Sequence, residues 1–230
     1  MKHLNTYITE YIVKKKLDKP IDSEDHYDYF PKTKEELAAN IKELFDKGET
    51  NLNCIDTSVI TDMSYLFGTF DNIKNISFNV SNWNVSSVTN MSYMFYDCKN
   101  FDCDLSSWDV NKVENMSHMF QNCENFTGEG LDKWDVSNVK DMNGLFYRCS
   151  NFNYDLSNWN VSNVETMENM FTYCPIFDCD LSKWNVSNVK YMNNMFCNCS
   201  KFNCDLSNWN VSKVKTIKNM CDMFYECKKS

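Results

Sequence analysis

All six tryptophans stand on one period: Trp83, Trp108, Trp134, Trp159, Trp184 and Trp209, at successive intervals of 25, 26, 25, 25 and 25 residues. Self-similarity at such a period is the signature of an array of stacked units, because no single unit can bury its own apolar side. Other columns keep the same register. A methionine follows each Trp by eight residues (Met91, Met116, Met142, Met167, Met192), until Ile217 takes the place in the last copy. The next columns are Phe95, Phe120, Phe146, Phe171 and Phe196, then Cys98, Cys123, Cys149, Cys174 and Cys199, then Phe101, Phe126, Phe152, Phe177 and Phe202. Three extra residues in the last copy shift its pair to Phe224 and Cys227. A degenerate first copy carries Ile55, Ile60, Met63, Leu66 and Phe67 at the equivalent places. About seven coils therefore run from Ile55 to the end.

Two spacings recur within a coil. Leu105, Trp108, Val110 and Val113 follow the L-x-x-L-x-L pattern and suggest a short strand over Leu105–Val110. Val113, Met116, Met119, Phe120 and Cys123 follow the i+3/i+4 spacing of one helix face. Ser86, Asn111, Ser137, Ser162, Ser187 and Ser212 stand between the two as N-cap candidates, with Glu114 and Glu165 three residues on as capping boxes. The fold class expected is α/β: a right-handed, leucine-rich-repeat-like β/α solenoid of about seven coils of roughly 25 residues, closed by an N-terminal helical cap. The expected division is 1–31, an amphipathic segment (Leu4, Tyr7, Ile8, Tyr11, Ile12) with an acidic linker; 32–54, a capping helix; and 55–230, the solenoid. Thr33, Glu36 and the stripe Leu37, Ile41, Leu44, Phe45 before Gly48 specify the capping helix. At the far end Ile217, Met220, Cys221 and Phe224 read as the apolar side of a last helix.

The motif W-[DN]-V-S-[NK]-V-x-x-M-x-x-M-F-x-x-C, as in the run Leu105 to Phe126, resembles the repeat of bacterial surface proteins. The same repeat occurs in mycoplasma surface lipoproteins, among the BspA-like leucine-rich repeats. The resemblance covers Ile55 to Cys227. It implies a leucine-rich-repeat-like solenoid, and for several members display at a surface and adhesion to host proteins or other cells. It carries no catalytic residues.

Charge and composition narrow the chemistry. With 23 basic against 32 acidic residues the net charge is −9, which disfavours a nucleic-acid binder. Three histidines (His3, His26, His118) and five glycines leave little for acid–base work or a phosphate cradle. Met1–Lys19 holds no apolar run of signal-peptide or membrane-span length, so reduced thiols in a cytosol-like compartment are the default expectation. The cysteine columns then read as small buried hydrophobes, with a disulfide or metal ladder as the competing reading. Asp104, Asp155, Asp180 and Asp205 read as acceptors for their own turn amides, against stacked calcium ligands.

On the presumed sheet face the middle outward column is Asn84, Asp109, Asp135, Asn160, Asn185 and Asn210. This ladder is the candidate partner-binding face. The function expected is a non-enzymatic module offering it to a protein or glycan partner, with no cofactor, no metal, no nucleic acid and no membrane insertion. The alternative is a scaffolding protein that assembles through its ends or N-terminal segment.

Overall fold

The computed structural model describes residues 27–215 and Phe224. The amphipathic stretch Leu4–Ile12, the last-helix residues Ile217, Met220 and Cys221, and Cys227 of the cysteine column lie outside the described residues.

Among the described residues the repeat is built neither of strands nor of helices. The only α-helix among the described residues is α1 (Lys34–Asp46), beside single 3-10 turns at Asp71–Ile73 and Leu131–Lys133. Strand pairing is reduced to isolated parallel bridges, the longest column being Asp62, Asn90, Asn115, Asp141, Thr166 and Tyr191. The expected β/α solenoid, with one strand and one helix per coil, is therefore incorrect.

What the coils contain is turns. In the coil of Trp108, i→i−3 bonds join Trp108 to Leu105, Val113 to Val110, Met119 to Met116, Cys123 to Phe120 and Phe126 to Cys123. Each turn begins and ends on an apolar residue, and these residues are buried. An apolar spacing of three is shared by a helix face and by the two ends of a β-turn, which is why the pattern misleads. The remaining amides explain why a helix does not form. Met91, Tyr93, Phe95 and Asp97 donate to Asn115, Ser117, Met119 and Gln121 of the next coil at 2.8–2.9 Å. Between them Met94, Tyr96 and Cys98 donate back to Met91, Tyr93 and Phe95. Donors thus alternate between the next coil and the same coil, and this segment of backbone is satisfied without a helix or a sheet.

Tyr93 and Asp97 have φ of 58° and 62°. Positive φ at the third residue of the Met91–Met94 and Phe95–Cys98 turns is the mark of a type II turn and is incompatible with a right-handed helix. The Ser and Asn residues expected as N-caps instead donate their amides to the Asn or Asp two residues earlier, as Ser137 does to Asp135 Oδ1 at 3.0 Å.

The core is a set of columns. Phe95, Phe120, Phe146 and Phe171 stack at centroid separations of 5.5, 5.8 and 5.6 Å. Phe101, Phe126, Phe152 and Phe177 run beside them at 5.9, 6.2 and 5.7 Å. Trp108, Trp134, Trp159, Trp184 and Trp209 stack within 3° of parallel, 6.2–6.5 Å apart. Each buried large side chain contributes roughly 1.5–3 kcal/mol, so cohesion resides in these columns more than in regular secondary structure. Helix α1 is capped by Thr33, whose Oγ1 accepts from the Glu36 amide at 3.2 Å. It buries Leu37, Ile41 and Leu44, and the Phe45 ring lies against Phe70 and Phe78. Lys34 ties it to the first coil through Asp62 at 3.3 Å.

Candidate functional site

Asn84, Asp109, Asp135, Asn160, Asn185 and Asn210 are all exposed. They stand on turns, because there is no sheet among the described residues to carry them. Their Oδ1 atoms are already engaged. Each accepts the amide two residues on, at 3.1, 3.2, 3.0, 3.2, 3.2 and 3.1 Å along the column. The ladder is thus a series of Asx turns that fixes the chain direction after each Trp.

Two further columns do the same. Asp104, Asp155, Asp180 and Asp205 accept from the amides of Ser106, Ser157, Ser182 and Ser207. Hydrogen bonds from those serines hold the carboxyls of Asp155, Asp180 and Asp205 below the ordinary carboxylate range. Asp62, Asn90, Asn115 and Asp141 accept from Ser64, Ser92, Ser117 and Asn143. Among the described residues no group of three or more His, Cys, Asp or Glu side chains could hold a metal ion.

The cysteine column is interior. Cys123, Cys149, Cys174 and Cys199 are fully buried and unbridged. The first three donate Sγ–H to the carbonyls of Phe95, Phe120 and Phe146 in the preceding coil, each at 3.0 Å. Burial pushes the Cys98 thiol up to about 12 and those of Cys123, Cys149 and Cys174 well above the ordinary value. A reactive thiol needs the opposite shift.

The outward residues that depart most from bland turn chemistry lie elsewhere. Left-handed positions recur ten and fourteen residues after Trp83, Trp108, Trp134, Trp159 and Trp184. They hold Gly144, Asn169, Asn194, Asp97, Asn122 and Asn198, but also Tyr93, His118, Arg148 and Tyr173, with Tyr65 in the first coil. Glycine and Asn or Asp suit φ near +60°; bulky side chains there are outliers that cost free energy. Tyr65 and Tyr173 are 46% and 42% exposed. The Tyr65 ring stacks on Tyr93 at 4.3 Å, and Tyr93 on His118 at 4.5 Å. The His118 ring lies over Gly144, where an added Cβ would meet Nδ1 at 2.3 Å. Burial of this ring pulls its pKa below the usual imidazole value. In the coil of Gly144, the Arg148 guanidinium sits 5.5 Å from the Tyr147 centroid and 5.0 Å from that of Tyr173.

Tyr65, Tyr93, Arg148 and Tyr173 do not stand out in the sequence, because a helix face gives their columns no special backbone. The available signal is the alternation of Asn and Gly with Tyr, His and Arg at two fixed positions of an otherwise regular repeat.

Among the described residues no helix is long and apolar enough to cross a membrane. A family model described as "Mycoplasma protein of unknown function, DUF285" matches residues 39–130 and again 120–230. No curated protein and no solved structure matches the chain.

Proposed function

This chain belongs to the DUF285 family of Mycoplasma proteins of unknown function, and we propose that it is a non-enzymatic interaction module whose outer turns engage a protein or glycan partner. The observation that carries the reading is the placement of Tyr65, Tyr93, His118, Arg148 and Tyr173 in left-handed turn positions. Each adds strain where Asn or Gly would add less, and none is needed to fill the core. Aromatic residues and arginine are the side chains most enriched where proteins bind partners, because they offer large contact area at low entropic cost. The columns beneath them are stacked and buried, so the tips are held on a stiff support and lose little freedom on binding.

The resemblance to BspA-like surface repeats makes display at a cell surface and adhesion the biological setting of this reading. The Asn84–Asn210 ladder serves mainly to close its own turns, and the aromatic tips form the binding face. The test is binding of the full-length protein to a glycan array and to immobilised extracellular-matrix proteins. Two variants are compared with it: Tyr65→Asn with Tyr93→Asn and Tyr173→Asn, and Asp109→Arg with Asp135→Arg. Saturable binding lost only in the tyrosine variant supports the tips; loss only in the Arg variant returns the binding face to the ladder. No saturable binding to either panel overturns the proposal.

A further inference from the structure

Among 23 basic residues this chain has one arginine, Arg148. The described ion pairs are all made by lysines, and Arg148 makes none of them. Its backbone holds φ at 59°, where the coils before and after next place Asn122 and Asn198 at 63° and 61°. Its guanidinium rests on the rings of Tyr147 and Tyr173, which meet edge to face at 5.9 Å. Stacking over tyrosine leaves the N–H edges of the fork for an anion, and that edge matches a carboxylate with two parallel hydrogen bonds. Lysine would supply charge at this place without the fork.

Arg148 lines an open groove of about 530 Å³ together with Ser150, Tyr173, Asn198 and Ser200. That volume suits a small ligand and is far below what a folded partner would occupy. The Ser200 hydroxyl donates to the Pro175 carbonyl at 3.0 Å, which leaves its oxygen as an acceptor. Glu124 also borders the groove, but its carboxylate is paired with Lys99 at 3.2 Å. The rim thus offers one cationic fork, hydroxyls, a carboxamide and a tyrosine ring.

Backbone hydrogen bonding favours a sugar over a peptide. The amides of Arg148 and Tyr173 are spent on Thr172 and Cys197 of the next coil, and that of Cys149 on Phe146. A peptide that pairs main chain to main chain would find these three amides already engaged. A saccharide binds through side chains alone.

We infer that the Arg148 groove is a subsite for a carboxylated saccharide residue, the carboxylate held by the guanidinium and the ring hydroxyls by Ser150, Asn198 and Ser200. This rests on the interaction-module reading and specifies its ligand.

The experiment is a titration of the full-length protein, followed by the backbone amide signals in NMR, with sialyllactose, lactose, sulfated lactose and an acidic peptide. Sialyllactose should shift the signals of Arg148, Ser150, Tyr173, Asn198 and Ser200, and lactose should not. Arg148→Asn should abolish the response, and Arg148→Lys should weaken it on the order of tenfold, since the charge stays and the fork goes. Asn at this φ is native to neighbouring coils, so an unchanged spectrum away from the groove checks that the variant is folded. Equal shifts with sulfated lactose support an anionic-sugar subsite that does not separate carboxylate from sulfate. Lactose matching sialyllactose, shifts that survive Arg148→Asn, a response to the acidic peptide alone, or no response at all would overturn the inference. Partner binding in the array assay that persists in Arg148→Asn would leave the module reading standing while this subsite fails.

Discussion

The indole Nε1 of Trp134 donates to the carbonyl of Leu105, one coil away, at 3.0 Å. The same clasp joins Trp108 to Val80, Trp159 to Leu131, Trp184 to Leu156 and Trp209 to Leu181. A buried indole needs a partner for its N–H, and here the partner is always the preceding coil. The tryptophan period is therefore both a packing column and a chain of inter-coil hydrogen bonds. Trp134→Phe should destabilise the protein by about 2 kcal/mol, from the lost bond and the vacated ring volume. Trp209→Phe, at the more open end of the column, should cost less. Urea unfolding of the two variants checks the order.

Stability should fall steeply in alkali. Burial raises the folded-state thiols of Cys98, Cys123, Cys149 and Cys174 above the ordinary 9.0. An acid whose folded pKa is raised binds its proton more tightly folded than unfolded. Its contribution is intact below the unfolded pKa and is lost as pH rises above it toward the folded value. Each such thiol should remove roughly 1.4 kcal/mol per pH unit above about pH 9. Chemical denaturation at stepped pH should show this slope, and Cys123→Ala with Cys149→Ala should flatten it. An unchanged slope in that variant would assign alkaline unfolding to other groups.

Thiol labelling should follow burial. Cys204 is half-buried, whereas Cys123, Cys149 and Cys174 are sealed. Mass spectrometry after brief alkylation of native protein should find Cys204, with the equally half-buried Cys54 and Cys197, modified ahead of the three sealed thiols. Under non-reducing denaturation, near-complete labelling of the 12 cysteines is the expected result, and a deficit restored by reductant would indicate disulfides.

Asn160 tests whether the ladder is structural. Its Oδ1 accepts the Ser162 amide at 3.2 Å, a bond that Asp keeps and Ala loses. Asn160→Asp should be nearly neutral, and Asn160→Ala should cost about 0.5–1 kcal/mol by thermal unfolding. Equal stability of all three would remove the turn-closing role.

Gly144 and His118 should be coupled. Gly144→Ala places a methyl group against the His118 ring and should cost about 2 kcal/mol. In a His118→Ala background the same change should cost less, because the ring it strikes is gone and only the strain of a Cβ at φ 59° remains. A double-mutant cycle reads the coupling.

Relief of strain gives the opposite sign at Arg148. Replacing it with Asn at φ 59° should raise stability by about 0.5–1 kcal/mol. A gain in melting temperature alongside a loss of ligand response is the pattern of a residue retained for binding.

The sequence by itself determined the register of the repeat and the composition of the core. From the coil of Trp83 to that of Trp184 the Trp, Met, Phe and Cys columns are buried, whereas Phe224 of the last copy is 45% exposed; the Asn84–Asn210 ladder faces outward, because apolar residues at fixed intervals must share an interior whatever backbone connects them. Thr33, Glu36 and the Leu37–Leu44 stripe likewise marked α1, where cap, box and periodicity agree. What lies between the columns depends on how the coils stack. A spacing of three is common to a helix face and to a β-turn, and the choice depends on where each amide finds its carbonyl. In this chain Met91, Tyr93, Phe95 and Asp97 find theirs in the next coil, a partner that exists only once the coils are stacked. The same stacking turns Arg148, Tyr147 and Tyr173 into one cluster, since residues a full period apart become neighbours only through the rise of the stack.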